Sequence, residues 1–138
     1  MHAWNFTVTR KFSLATGVKK LLSLKQQQLL VNHYHDAYPD VHIVTHTALY
    51  PSAHSKFVHG QAQFHNYLIL DGRRIIPSSS VTHAPNSIIQ ADYGDTRYVA
   101  QVIDIITHHQ PRIERDATLL NVRWFSRNEN IDTSAWDP

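Results

Sequence analysis

Two short runs rich in β-forming residues, Phe64 to Leu70 and Arg73 to Ile76, flank the dipeptide Asp71-Gly72. Asp-Gly between such runs is the strongest short-range hairpin signal a sequence carries, because its two residues accept the positive φ that a tight two-residue turn demands. That turn commits the middle of the chain to antiparallel strands. Further strands are expected around it. Trp4, Phe6 and Val8 alternate with Asn5, Thr7 and Thr9, the period-two pattern of a half-buried strand over residues 3 to 12. Ser87 to Tyr93 is read as a strand closed by a turn at Gly94-Asp95, and Tyr98 to Thr107 and Thr118 to Phe125 as two longer strands joined by a polar loop. Pro77 to Ser80 is read as a loop, and the stretch from Val41 to Leu49 as either strand or loop.

One segment breaks this pattern. Leu21, Leu22, Leu24, Gln28, Leu29, Val31 and Tyr34 recur at helical spacing, with Ser23 in place as a cap and Pro39 beyond the end, so a helix is expected over 23 to 37. Leu14 to Leu22 is read as an earlier helical turn broken at Gly17. The expected architecture is α+β, mainly β: a small antiparallel β-barrel with one N-terminal helix. At 138 residues the chain suits one domain, with residues 1–40 as a basic strand-helix segment and 60–135 as the barrel portion.

Composition narrows the function classes. Absence of cysteine removes disulfides, thiolate metal sites and cysteine nucleophiles, and a reducing compartment is expected. No apolar run reaches the roughly 18–20 residues of a membrane span, and the N-terminal residues lack the apolar core of a secretory signal. The net charge of +2 is unevenly spread: residues 1–35 carry Arg10, Lys11, Lys19, Lys20 and Lys25 and no acid, while the rest of the chain is net negative. Those five residues are candidate contacts to an anionic partner such as nucleic acid, against the plainer reading of a solvated helix face.

Catalytic patterns are sparse. Eleven histidines invite a metal reading, with His33 and His35 next to Asp36, and His42 four residues before His46. On a helix, however, residues two apart point about 200° from each other, and Ile43, Val44 and Thr45 favour a strand where the second pair would need a helix. Ser78 to Ser80 with His83 and Asp92 supply the residue types of a nucleophilic triad without a nucleophile elbow, and no phosphate-cradling glycine motif is present. Neither catalysis, cofactor nor metal is expected. A metal-dependent or nuclease-like enzyme using His33, His35, His42 or His46 is the alternative from a different class.

Arg97-Tyr98-Val99-Ala100-Gln101-Val102-Ile103-Asp104-Ile105, followed after a loop by Leu120 to Glu129, resembles the central strands of bromo-adjacent homology (BAH) domains. In that family a strand of the form Tyr-Val-Gly-x-Val-x-x-Ile pairs with one ending Val-x-Trp-Phe-Tyr-Arg-Pro-Glu. Here Ser126 and Asn128 stand in place of the second aromatic and the proline. The likeness spans about residues 64–132, and the arrangement is also similar to domains in proteins carried by fungal mobile elements. It implies a nuclear, chromatin-associated interaction module that takes a histone tail or other peptide, with DNA as a second partner. Tyr67, Tyr93, Tyr98 and Trp124 are then candidate ligand-binding aromatics, gathered with Phe125 as π-faces around a cation; the plainer reading makes them core residues. Family domains usually continue past Asp137-Pro138, so a piece of a larger protein is a further expectation.

Overall fold

A computed structural model describes residues 2–7, 12–47, 55–79, 87–93 and 96–125. The chain order is β1 (His2–Thr7), β2 (Phe12–Leu14), β3 (Val18–Leu21), α1 (Leu24–Ala37), β4 (Ile43–Val44), β5 (Lys56–Phe57), β6 (Gln61–Phe64), β7 (Leu68–Leu70), β8 (Arg73–Ile75), β9 (Ile88–Tyr93), β10 (Thr96–His108) and β11 (Ala117–Trp124). A six-stranded antiparallel sheet runs β1-β11-β10-β6-β3, with β9 also paired to β10. A smaller sheet runs β2-β7-β8, and β4 pairs with β5 in parallel. The described strands do not close into a barrel: β1 and β3 end the large sheet on opposite sides. The protein is mainly β with a single described helix.

β10 is long enough to serve two partners along one edge. Its first half pairs with β9 through Thr96 to Gln101, and its end pairs with β6 through Ile106 and Thr107. Between them the edge is served one residue at a time: the Val102 carbonyl accepts from the Ser78 amide, Ile103 from Ser79, and Ile105 from His65. The register with β11 shifts across the same stretch, between Val102 and Asp104. An extra residue bends a strand and re-aims its side chains, which here divides the residues of β10 between two cores.

On one face Ile106, Leu119 and Ala62 pack with Leu30, Val31 and Tyr34 of the helix. On the other, Ala100, Val102, Ile105, Leu120 and Val122 pack with Leu68 and Ile75 of the small sheet. The large sheet is thus the middle layer of three. Its central strands are apolar on both faces, which is why β11 reads as the near-continuous run Leu119-Leu120-Asn121-Val122 rather than as alternation.

The expected helix forms as Leu24–Ala37. Ser23 Oγ accepts from the Gln26 amide at 3.1 Å and Gln26 Oε1 accepts from the Ser23 amide at 2.8 Å, a complete capping box. The Asp71-Gly72 hairpin forms too, with φ of 53° and 75°, both in the left-handed region the turn requires. The region 14–22 is corrected. It holds a strand, β3, in place of a helical turn, because Ala15 is tied to the β6–β7 connection: its amide donates to the Tyr67 carbonyl and its carbonyl accepts from His65 Nδ1 at 2.7 Å. At Gly17 a Cβ would lie 2.7 Å from Gln63 Cβ, so only glycine lets the chain pass this close to β6.

A chain of buried hydrogen bonds ties the helix to the sheet. The fully buried His108 donates from Nε2 to the His59 carbonyl at 2.8 Å. A carbonyl can only accept, so the proton sits on Nε2 and the neutral ring's Nδ1 accepts the Tyr34 hydroxyl at 2.6 Å. Gln110, also buried, accepts the His59 amide on Oε1 and donates from Nε2 to the Phe57 carbonyl. Burial pushes the His108 pKa down and the Tyr34 pKa up, which keeps both neutral. Burial also lowers the pKa of His33, against an opposing pull from Asp36.

Two outcomes follow. Tyr34→Phe leaves His108 Nδ1 buried without a donor and lowers the unfolding free energy by about 1–3 kcal/mol in urea, whereas Tyr38→Phe, at an exposed ring, changes it little. Because His33 and His108 resist protonation in the fold but not in the unfolded chain, their stabilisation is complete above the unfolded histidine pKa of about 6.5 and is lost as the pH falls below it. Stability measured from pH 7.5 down to 5 therefore declines, and His108→Gln makes that decline shallower.

Candidate functional site

The edge strand β3 follows directly from the crowded Gly17 crossing and leads through Ser23 into α1. It pairs with β6 on one side, Val18 opposite Phe64 and Leu21 opposite Gln61, and among the described residues nothing pairs with its other side. All four of its residues are exposed. Val18 is 56% and Leu21 76% exposed, followed by Leu24 at 54%. An open edge bearing aliphatic side chains is a template for another strand. Three of the five basic candidates lie here: Lys19 and Lys20 on β3 and Lys25 in the first turn of α1, all exposed. Arg10 and Lys11 lie outside the described residues.

Beside this edge, where the β10 edge passes from β9 to β6, lies a cavity of about 130 Å³. Val18 and Lys20 line it from β3, Phe64 and Asn66 from β6 and the turn after it, Ser79 from the connection that follows β8, and Asp104 from the β10 bulge. The register places Asp104 opposite Asn121, two residues along from the Ile106–Leu119 pair that faces the helix. The Lys20 ammonium stands 5.4 Å from the centre of the Phe64 ring, within cation–π reach. Asp104 is only 9% exposed and accepts a hydrogen bond from Asn121 Nδ2 at 3.2 Å. Among the described residues no lysine, arginine or histidine reaches it at ion-pair distance. Since a carboxylate only accepts, the Asn121 amide is oriented with its nitrogen towards Asp104, and Asn121 Oδ1 is left buried without a partner. The cavity thus borders a buried carboxylate, with a lysine among its exposed lining residues.

The aromatic candidates are spread along the sheet. Trp124 lies opposite Ala100 at the end of β11, half-buried, and packs against the second core. Tyr67, in the connection before β7, has the Arg74 guanidinium 4.5 Å from its ring centre. Phe125 is covered in the same way by Arg123 at 4.4 Å. Tyr93 and Tyr98 take backbone positions in β9 and β10, paired with Thr96 and Ala91.

Of the four histidines of the alternative metal reading, His35 and His46 hold backbone. His35 Nε2 donates to the Ile43 carbonyl and His46 Nε2 to the Val58 carbonyl. His42 meets the Ser55 hydroxyl and stacks on His35 with ring centres 6.5 Å apart, while His33 is buried beside Tyr34. Among the described residues no three histidine, aspartate or glutamate side chains gather as a metal would require. His65 follows the same rule as His35 and His46, donating to Ala15 and accepting from Thr107 Oγ1 at 2.9 Å. Reading the sequence did not single out Asp104, Asn121 or Asn66 as site residues, and it met Ser79 only in the Ser78 to Ser80 run of a triad it set aside. An aspartate between Ile103 and Ile105 and an asparagine between Leu120 and Val122 are polar interruptions of strands buried on both faces, which is the signal that marks them.

Comparison with known protein families, with curated proteins and with solved structures finds no match to this chain.

The packing around Trp124 generates a stability comparison. Trp124→Ala is expected to cost about 2–3 kcal/mol in urea unfolding, because it strips the indole ring from the edge of the second core, against about 1 kcal/mol for Phe125→Ala. Equal costs would show that the tryptophan adds little to that core.

Proposed function

We propose that this chain is a binding module without catalytic activity, and that it takes an extended peptide as an added strand on the open edge of β3. The observation that carries this reading is β3 itself: a wholly exposed edge strand, unpaired on its outer side among the described residues, with aliphatic side chains at Val18 and Leu21. Strand addition draws affinity from main-chain hydrogen bonds along such an edge and specificity from pockets for alternate side chains. The cavity beside Val18 and Lys20 offers one such pocket.

Charge selects the peptide. Lys19, Lys20 and Lys25 flank the edge, so acidic residues beside the added strand are favoured by steering and by rim ion pairs. A lysine-rich histone tail meets like charge at this edge. The chromatin setting and the BAH-like barrel belong to the same proposal and are supported by the resemblance at residues 97–105 and 120–129. A cation cage has weaker physical support, because the rings of Tyr67 and Phe125 already carry arginine guanidinium groups.

The test is a titration with a valine- and threonine-rich peptide flanked by glutamates, followed by amide hydrogen exchange. Exchange is expected to slow at residues 18–21, and Lys19→Glu combined with Lys25→Glu to weaken binding about tenfold, the loss of two surface ion pairs worth up to about 1 kcal/mol each. Unchanged exchange along β3, or preferential binding of duplex DNA with a steep salt dependence, overturns the reading.

A further inference from the structure

We infer that the β3 edge selects an extended segment of the pattern aliphatic-any-acidic-aliphatic, running antiparallel to β3, and that Lys19 is the residue that reads its acidic position; this rests on the strand-addition reading. The first argument is which backbone groups the edge offers. The Leu22 amide donates to the Gly60 carbonyl at 2.8 Å, in the same register that sets Lys20 opposite Ala62 and Val18 opposite Phe64. Hydrogen-bonded and non-hydrogen-bonded pairs alternate along an antiparallel ladder. Val18 and Lys20 therefore turn their amides and carbonyls towards β6, and Lys19 and Leu21 turn theirs outward. The far side of β6 agrees: the His65 amide donates to the Ile105 carbonyl, which commits Gln63 to β10 and leaves Ala62 and Phe64 for β3. An added strand makes its main-chain bonds with Lys19 and Leu21.

The second argument is charge. Side chains alternate across a strand, so Lys19 and Leu21 share one face of the sheet and Val18 and Lys20 the other. The two lysines are not equivalent. The Lys20 ammonium stands 5.4 Å from the centre of the Phe64 ring, and Phe64 belongs to β6, so Lys20 leans inward over the strand already paired. Lys19 is exposed and has neither a carboxylate nor a ring as partner among the described residues. Opposite charges directly across a ladder attract and like charges repel, so the position facing Lys19 takes aspartate or glutamate. Leu21 and Val18, both exposed, favour aliphatic residues at the positions that face them.

The third argument is direction. Antiparallel ladders are slightly the more stable per residue, and β3 already pairs with β6 in that sense. Read from its N-terminal end, an antiparallel partner meets Leu21, Lys20, Lys19 and Val18 in turn, which gives the pattern its order. A second copy of β3 is a poor occupant, because antiparallel pairing of Val18–Leu21 with itself sets Lys19 opposite Lys20.

Two capped hexapeptides of one composition, Thr-Val-Thr-Glu-Val-Thr and Thr-Val-Glu-Thr-Val-Thr, titrated into the whole chain, decide the register, with affinity read from amide chemical shifts and strand addition from hydrogen exchange at residues 18–21. In the antiparallel register only the first sets glutamate opposite Lys19. The second recovers that contact only by a slip that moves both valines off Leu21 and Val18. The first is expected to bind about two- to fivefold more tightly. Lys19→Glu is expected to abolish that preference and to favour Thr-Val-Thr-Lys-Val-Thr instead, whereas Lys20→Met leaves the preference in place. Both side chains are exposed, and circular dichroism checks that both variants keep the fold. Equal affinity for the two peptides, with β3 protected by both, overturns this inference and leaves strand addition standing. A preference for the second peptide overturns it as well, by assigning the acidic position to Lys20 or the added strand to the parallel direction. If neither peptide slows exchange along β3, or if protection there rises with protein concentration alone as a second copy would cause, strand addition by a peptide fails and this inference with it.

Discussion

The hydrogen-bond chain from Tyr34 through His108 to the His59 carbonyl fixes how the layers of this protein meet. Its three members come from the helix, the end of the longest strand and the connection before β6, so forming it sets the rotation of α1 and the path of residues 56–61 together. Gln110 extends the same arrangement by pairing with both the His59 amide and the Phe57 carbonyl, in the manner of a strand neighbour. Such a network stabilises only when every member is satisfied, and here the neutral imidazole is the group able to donate on one side and accept on the other. The abundance of histidine in this chain is explained in part by that use: His35, His46, His65 and His108 all donate to backbone carbonyls that no strand reaches.

Once the helix is held on one face and the small sheet on the other, β10 must serve two cores, and its irregularity follows. A regular strand would keep one set of alternate residues on each face along its whole length. The register shift between Val102 and Asp104 changes that assignment, so that Ala100 and Val102 serve the second core while Ile106 serves the first. At the shift neither β9 nor β6 covers the strand edge, and single residues from two connections take their place. The cavity is a consequence of this gap. Asp104 lies in it because the bulge gives a polar residue a position that neither core can fill.

Local chemistry was legible wherever a residue type has one structural meaning. Asp71-Gly72 specifies a hairpin through its positive φ, and Ser23 with the leucine spacing behind it specifies a helix start; both elements occur where they were expected. The two long strands near the C-terminal end were legible from their β-branched content. The stretch before the helix was not, because Leu14 to Leu22 carries leucines at spacings that suit either a helix or strands, and the choice depends on His65 and Tyr67, fifty residues away, holding Ala15 in an extended crossing. Closure of the sheet was equally beyond local pattern, since pairing of strand edges depends on which strands end beside each other.

The amino-acid sequence by itself determined the helix after Ser23, the hairpin at Asp71-Gly72, the two long strands, the concentration of basic charge before the helix and the absence of thiol chemistry, because each follows from the conformational or chemical range of individual residues. Tertiary structure alone decided that β3 is an edge, that Lys19, Lys20 and Lys25 surround it, that Tyr67 and Phe125 are covered by arginines, and that Asp104 meets Asn121 beside a cavity. These are facts of register and layer order, set by long-range pairings such as Lys20 with Ala62 and Asp104 with Asn121. A strand's own residues show which side chains share a face, but not which neighbour that face will meet.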